Sequence, residues 1–124
     1  MTPIPANVTE FDPTITSHAH ILRRQRDTRR HSLEQVEGDG GARVIPMEGV
    51  EMVIGRDPDA HVCLNSKRAS RQHAFLRLRG TDCMLYDNDS HNGVFLNGIK
   101  VYSALLRDGD VIQVADSIFV YSEG

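Results

Sequence analysis

Residues 55–98 read GRDPDAHVCLNSKRASRQHAFLRLRGTDCMLYDNDSHNGVFLNG, and the rest of the chain is organised around them. Three polar clusters in this stretch are separated by short apolar runs: Gly55-Arg56, Ser70-Arg71-Gln72-His73 and Ser90-His91-Asn92-Gly93. Arginine forks, a hydroxyl and an amide in neighbouring loops are groups that hold a phosphate and the backbone beside it. The stretch therefore predicts a binding site made of loops, with no obvious catalytic nucleophile.

Outward from this stretch, apolar and polar residues alternate in short runs, which is typical of β-strands. Two turn signals, Gly38-Asp39-Gly40-Gly41 and Asn97-Gly98, each favour a hairpin. About ten or eleven short strands without a long helical pattern predict an all-β fold, an antiparallel sandwich or barrel. The predicted strands cover residues 32–36, 43–47, 51–54, 61–64, 73–79, 83–86, 94–96, 99–101, 111–114 and 118–121.

The order of the three clusters resembles that of the forkhead-associated (FHA) domain, a β-sandwich that reads phosphothreonine. The matching motifs are Gly-Arg, then Ser-x-x-His, then Ser-x-Asn-Gly leading into Phe-Leu-Asn-Gly. Three short motifs in the right order, each after an apolar strand, are specific where one alone would be weak. The resemblance covers residues 31–122 and implies an antiparallel sandwich of about eleven strands with its recognition loops at one end.

The resemblance also implies roles for individual residues. Arg56 and Ser70 would bind the phosphate, Arg71 would contact peptide or phosphate, and Asn92 would grip the peptide backbone beside the phosphothreonine. His91 stands where the family usually has a threonine, and a protonated imidazole can replace that donor, so affinity would rise as the pH falls. The structural support would come from Gly55, His73, Gly93, Asn97 and Gly98.

Each binding residue also has a plainer interpretation. Arg56 could pair with Asp57 or Asp59 at the surface, and Ser70 could cap its turn. Arg71 could be a solvated charge, and Asn92-Gly93 could be only a turn. For His73 the two interpretations agree, because a histidine at the head of a strand is usually a hydrogen-bonded structural residue.

Composition narrows the class of protein. The chain has 124 residues, 40% hydrophobic content and a net charge of −3. This length suggests one domain, and the charge argues against a nucleic-acid or membrane-surface protein.

Cys63 and Cys83 lie in apolar runs at a spacing that fits no metal or redox motif, so both are predicted to be buried free thiols. The N-terminal residues contain no hydrophobic run of the kind that a signal peptide or a membrane span needs. The cytoplasm is therefore the expected compartment.

Residues 1–30 are predicted to be a flexible tail, rich in proline and threonine at the start and basic towards the end. The basic part, residues 23–30, is interpreted as a solvated linker rather than a nucleic-acid arm because it lacks aromatic residues.

Thr9, Thr14 and Thr16 are candidate phosphorylation sites for an upstream Ser/Thr kinase. Thr9 is followed three residues later by Asp12, a type of residue that FHA domains often favour there, so the phosphorylated tail could occupy its own domain. Tyr121 is the last residue the sandwich needs, and the chain is therefore expected to be an N-terminal piece of a longer protein.

Three other classes of function compete with the phosphothreonine reader. A hydrolase would need Ser70, His73 and Asp87 as a triad, but no nucleophile elbow surrounds Ser70. A metal site could use Asp87, Asp89 and His91, although the calcium-loop template fails at Ile99. The stronger rival is an interaction module that ignores phosphorylation.

We therefore expect a non-enzymatic, phosphothreonine-dependent interaction domain, with no cofactor and no metal. Its partner would be a phosphorylated protein or its own phosphorylated tail. It would regulate an attached or partner signalling protein, such as a diguanylate cyclase in a bacterium. Binding of nucleic acid or of membrane is not expected.

Overall fold

The computed structural model describes residues 30–124, which contain strands and loops but no helix. The expected all-β fold is confirmed. Eleven strands follow one another along the chain: β1 His31–Glu37, β2 Arg43–Pro46, β3 Glu51–Gly55, β4 Val62–Cys63, β5 Ala74–Arg79, β6 Asp82–Asp87, β7 Val94–Leu96, β8 Ile99–Val101, β9 Ser103–Leu105, β10 Val111–Val114 and β11 Ser117–Glu123.

The strands form two sheets that pack as a sandwich. The six-stranded sheet has the order β2-β1-β11-β10-β7-β8, and the five-stranded sheet has the order β4-β3-β5-β6-β9. Every pairing is antiparallel except that of β3 with the two-residue β4. Both predicted hairpin turns are present, since β1 pairs with β2 and β7 with β8.

The core lies between the sheets and follows from the period-two pattern of the strands. In β10, Ile112 and Val114 are buried while Val111 and Gln113 face outwards. The same alternation in β11 buries Phe119 and Tyr121, the two largest side chains of the core. The core therefore needs no helix to cover it.

The strand register brings the polar clusters to one end of the sandwich. In one sheet, Ile54 pairs with Ala74 and Ala74 with Asp87, so the loops after β3 and β6 and before β5 meet there. In the other sheet, Val94 and Ser117 both pair with Val114. We call the resulting surface, formed by residues 55–73, 88–93 and 115–116, the loop end.

Three details differ from the sequence prediction. Strand β9 was not among the predicted runs, because Ser103–Leu105 is short and only one residue separates it from β8. Strand β4 covers two residues rather than residues 61–64, and it pairs in parallel. Cys63 is exposed, so its predicted burial is wrong, whereas Cys83 is a buried free thiol as predicted.

The cysteine error has a simple cause in strand alternation. Val62 and Cys63 are successive residues of β4 and therefore point to opposite faces, and Val62 takes the core position.

Between residues 30 and 124, no helix is long and apolar enough to cross a membrane. The expectations for Thr9, Thr14, Thr16 and the basic segment lie outside the described residues.

Candidate functional site

Arg56 lies at the loop end, directly after β3, and its side chain is exposed. Its Nε donates to the carbonyl oxygen of Ala69 at 3.0 Å. Within residues 30–124, Arg56 forms no ion pair and its two terminal amino groups have no hydrogen-bond partner. The surface ion pair considered for Arg56 is absent there, because Asp57 instead lies 3.8 Å from the guanidinium of Arg71.

Ser70 connects the three loops of the site. Its carbonyl oxygen accepts from the backbone N–H of Arg56 at 2.9 Å, and its Oγ accepts from the N–H of His91 at 3.1 Å. A hydroxyl that accepts one hydrogen bond still has its own hydrogen to donate. The backbone N–H of Ser70 is already used, because it donates to His73 Nδ1 at 3.0 Å.

His73 is fully buried beneath these loops. Since Nδ1 accepts from Ser70, the proton lies on Nε2, which donates to the carbonyl oxygen of Gly93 at 2.8 Å. One imidazole ring therefore joins the loop before β5 to the loop before β7.

This geometry also bears on the triad considered above. Both ring nitrogens of His73 are bonded to backbone groups, so neither faces the hydroxyl of Ser70. Asp87 accepts from the N–H of Ser90 at 2.9 Å and braces its own loop rather than the histidine. His73 therefore cannot act as a base on Ser70 in this arrangement.

Asn92 is exposed at the tip of the loop between β6 and β7. Its Nδ2 donates to the carbonyl oxygen of Arg68 at 2.8 Å, which leaves Oδ1 available to accept. The loop beneath it is fixed by short local hydrogen bonds, because Ser90 Oγ accepts from the N–H of Gly93 at 2.9 Å. The amide oxygen of Asn92 is therefore held in place at the surface.

Two glycines allow this close packing. A Cβ on Gly55 would lie 2.1 Å from the carbonyl oxygen of Arg71, so the strand end and the loop can meet only if residue 55 has no side chain. Gly93 has a φ of 86°, and a Cβ there would lie 2.9 Å from Cε of Lys100. Asn97 and Gly98 lie in the β7–β8 turn with positive φ values of 50° and 85°, outside the binding loops.

The remaining predicted residues surround this centre. The side chain of Arg71 is 67% exposed, and the ring of His91 is also at the surface. Arg56, Ser70, Arg71, His91 and Asn92 thus all lie at the loop end. Among residues 30–124, the His, Cys, Asp and Glu side chains form no group of three or more that could hold a metal ion.

Sequence reasoning missed the residues that support the site. Arg68 and Ser66 lie in the loop before Ser70, and Asp116 contacts them from the turn between β10 and β11. The 50 residues that separate Ser66 from Asp116 left no local signal of this contact.

Two buried groups at the opposite end of the sandwich have raised pKa values. Burial is the main cause, and it raises the pKa of the Cys83 thiol to about 11. Burial also raises the pKa of Tyr121, helped by the hydrogen bond that its hydroxyl donates to Glu123 at 2.8 Å. The pairing of His31 with Glu123 places this cluster away from the loop end.

Comparison with known proteins identifies the family. The sequence model of the FHA domain family matches residues 52–115 of this chain. The chain is 39% identical over 71 residues to the ABC transporter ATP-binding/permease protein Rv1747 of Mycobacterium tuberculosis, covering 57% of this chain and 8% of that protein. It is 37% identical over 70 residues to the glycogen accumulation regulator GarA of Mycolicibacterium smegmatis, covering 56% and 44%. The chain thus spans less than half the length of these relatives.

A solved structure supports the same assignment. A chain from a structural and functional analysis of phosphothreonine-dependent FHA domain interactions matches with a TM-score of 0.70 and 31% identity. The match covers 76% of this chain and 96% of that one. The sheets described above are thus arranged as in a solved FHA domain.

Proposed function

The chain belongs to the FHA family, and from that premise we propose that its loop end binds phosphothreonine-containing proteins. The observation that carries the proposal is the convergence of three groups with unused bonding capacity: the terminal amino groups of Arg56, the hydroxyl of Ser70 and the amide oxygen of Asn92. A solved relative described by its phosphothreonine-dependent interactions supports it.

Each group has a task that suits its chemistry. The guanidinium of Arg56 binds two phosphate oxygens, which is the strong form of such a contact. The hydroxyl of Ser70 donates to a third oxygen, because its hydrogen is unused while its oxygen accepts from the N–H of His91. The Oδ1 of Asn92 accepts from a backbone N–H of the peptide.

The expected energies are sufficient for a regulatory interaction. A micromolar complex needs about 8 kcal/mol. Hydrogen bonds to charged groups contribute roughly 1.5–3 kcal/mol each, set against the cost of ordering the peptide. A few such bonds with backbone contacts are enough, so no deep cavity is required.

Two exposed residues adjust this contact. Arg71 adds positive charge beside the phosphate, although Asp57 compensates part of it. A protonated imidazole of His91 would add a donor to the phosphate, so affinity is expected to rise as the pH falls once the titration of the phosphate itself is subtracted. The variant His91→Thr would then bind with the phosphate's own pH dependence alone.

The experiment is a peptide selection followed by titration. A library with a fixed phosphothreonine, and matched libraries with threonine or phosphoserine, are presented to the 124-residue chain. We expect enrichment only with phosphothreonine, and binding of the selected peptide to be lost when its phosphate is removed. Equal binding of the unphosphorylated peptide would instead indicate a phosphate-independent interaction surface and would reject the proposal.

The N-terminal segment is a candidate ligand. Strand β1 begins at the end opposite the loop end, and seven strand residues span about 23 Å. About twenty residues precede β1 after Thr9, and if they form the flexible tail that the sequence predicts, they reach roughly 22–27 Å. Phosphorylated Thr9 would therefore reach the loops of the same molecule at an effective concentration near millimolar, and Thr14 and Thr16 are further candidates with shorter connections to β1.

Self-binding is tested by NMR on the chain phosphorylated by a Ser/Thr kinase. Resonances of Arg56, Ser70 and Asn92 should shift on phosphorylation, and the size of the shift should not depend on protein concentration. If Thr9 is the ligand, Thr9→Ala should return these resonances to their unphosphorylated positions. Unmoved loop resonances would reject self-binding while leaving the reader function intact. In either form, we propose a cytoplasmic module that regulates an attached or partner signalling protein.

A further inference from the structure

The turn between β10 and β11 contacts the loop that precedes Ser70. Asp116, at this turn, accepts a hydrogen bond from Ser66 Oγ at 2.8 Å, and its other carboxylate oxygen lies 3.5 Å from a terminal nitrogen of Arg68. These contacts join the two sheets at the loop end, because β10 and β11 belong to one sheet and the loop follows β4 of the other.

The contacts continue from Asp116 to Asn92. The hydroxyl of Ser66 gives its hydrogen to Asp116, so its lone pair is available to accept from the N–H of Arg68 at 3.2 Å. The carbonyl oxygen of Arg68 in turn accepts from Nδ2 of Asn92 at 2.8 Å. Each of these bonds runs from an O–H or N–H donor to an oxygen acceptor, so its direction is fixed by the chemistry of its own two groups.

The backbone of the turn is held in an uncommon conformation. Ala115 has a φ of 54°, in the left-handed region that alanine rarely adopts, and it packs against the core. Val114 and Ser117 pair on either side, so only two residues make the turn. The fold thus fixes the direction from which Asp116 approaches Ser66.

We propose that Asp116 is a positioning residue for the ligand site, and the proposal rests on the function proposed above. Asp116 holds Ser66, Ser66 holds the backbone of Arg68, and Arg68 holds the amide of Asn92 with Oδ1 facing the ligand. Without Asp116, the loop would still exist but the amide would sample other orientations. Binding would then have to supply the cost of ordering it.

The test uses the phosphothreonine peptide selected from the library and the 124-residue chain. Asp116→Ala and Ser66→Ala should each weaken binding by about 3- to 30-fold. Asp116→Asn keeps an oxygen that can accept from Ser66, so its affinity should stay within about threefold of the wild type. Asp39→Ala is the matched control: it removes one exposed carboxylate from the β1–β2 turn, which also lies at this end, where Gly38 adjoins Ser117.

Two further measurements separate positioning from general destabilisation. In the free protein, the side-chain amide resonances of Asn92 should move in Asp116→Ala and Ser66→Ala but not in Asp39→Ala. In an Asn92→Ala background, Asp116→Ala should weaken the remaining binding less than twofold, because its effect passes through Asn92.

The outcomes distinguish this inference from the proposed function. Wild-type binding that needs phosphothreonine, together with full affinity in Asp116→Ala, would overturn the role of Asp116 and leave the reader function standing. An equal loss with and without Asn92 would also overturn the route through Asn92. A wild-type chain that binds no phosphothreonine peptide from the library would overturn both.

Discussion

At the scale of single residues, the site depends as much on what is missing as on what is present. We propose Arg56 as a ligand-binding residue because its terminal amino groups have no partner among the described residues, and Ser70 because its hydroxyl hydrogen is not yet used. Gly55 contributes by having no side chain where the carbonyl oxygen of Arg71 passes. Substitutions at these three positions should therefore impair the site for three different physical reasons.

Gly55→Ala should destabilise the fold and weaken ligand binding together. The new methyl group would overlap the backbone of Arg71, and overpacking of this kind costs about 1–3 kcal/mol. Urea unfolding gives the change in the free energy of unfolding. Gly49→Ala is the control, since Gly49 has no positive φ and nothing lies within 4 Å of its added Cβ. Equal stability of the two variants would contradict the packing argument.

At the scale of elements, turns fix the strands that carry the loops. Asn97 starts the turn between β7 and β8, and its side chain also bonds to β10 by accepting from the N–H of Val111 at 2.9 Å. Its Nδ2 donates to Asp110 at 3.0 Å. One asparagine thereby joins three strands, and β7 begins directly after the loop of Asn92.

Replacing Asn97 should separate backbone strain from hydrogen bonding. Asn97→Gly loses the two side-chain bonds but tolerates the positive φ, so it should lower the free energy of unfolding by about 1–2 kcal/mol. Asn97→Ala loses the same bonds and adds left-handed strain, so it should cost roughly 1 kcal/mol more. Thermal unfolding measures both. The idea fails if alanine is tolerated as well as glycine.

The strands and hairpins could be predicted from sequence because their signals are local. Alternation located ten of the eleven strands, and Asn97-Gly98 marked its turn through its preference for positive φ. Strand β9 carried no such signal, and the exposure of Cys63 depended on which residue of β4 faced the core. The hydrogen bond that Ser66 donates to Asp116 connects residues distant in sequence, so only the folded chain reveals it.

At the scale of the whole molecule, the two ends of the sandwich have different chemistry. The loop end exposes cations and polar groups that are available to a ligand. The opposite end buries Cys83 and Tyr121 in their neutral forms, and the hydroxyl of Tyr121 donates to Glu123 at 2.8 Å. The first end is suited to binding, and the second contributes to stability in a pH-dependent way.

Stability should therefore decline at alkaline pH. In the unfolded chain the Cys83 thiol ionises near its ordinary pKa of 9.0, but in the folded chain its pKa is about 11. Its stabilising effect is complete below about pH 9 and is lost as the pH rises to 11, at up to about 1.4 kcal/mol for each pH unit. Cys83→Ala should flatten this slope between about pH 9 and pH 10, because at higher pH the raised pKa of Tyr121 adds its own decline. Cys63→Ala, which alters an exposed thiol, should leave it unchanged, and an identical slope in both variants would refute the assignment.

The central claim concerns the whole loop end, and one calorimetric titration tests it most directly. The selected phosphothreonine peptide is titrated into the wild type, Arg56→Ala and Arg107→Ala, where Arg107 is an exposed arginine near the opposite end. We predict that losing Arg56 costs about 2–5 kcal/mol, at least roughly 30-fold in Kd, because phosphate charge is left unpaired. Losing Arg107 should change Kd less than twofold. Unchanged affinity in Arg56→Ala would contradict the account.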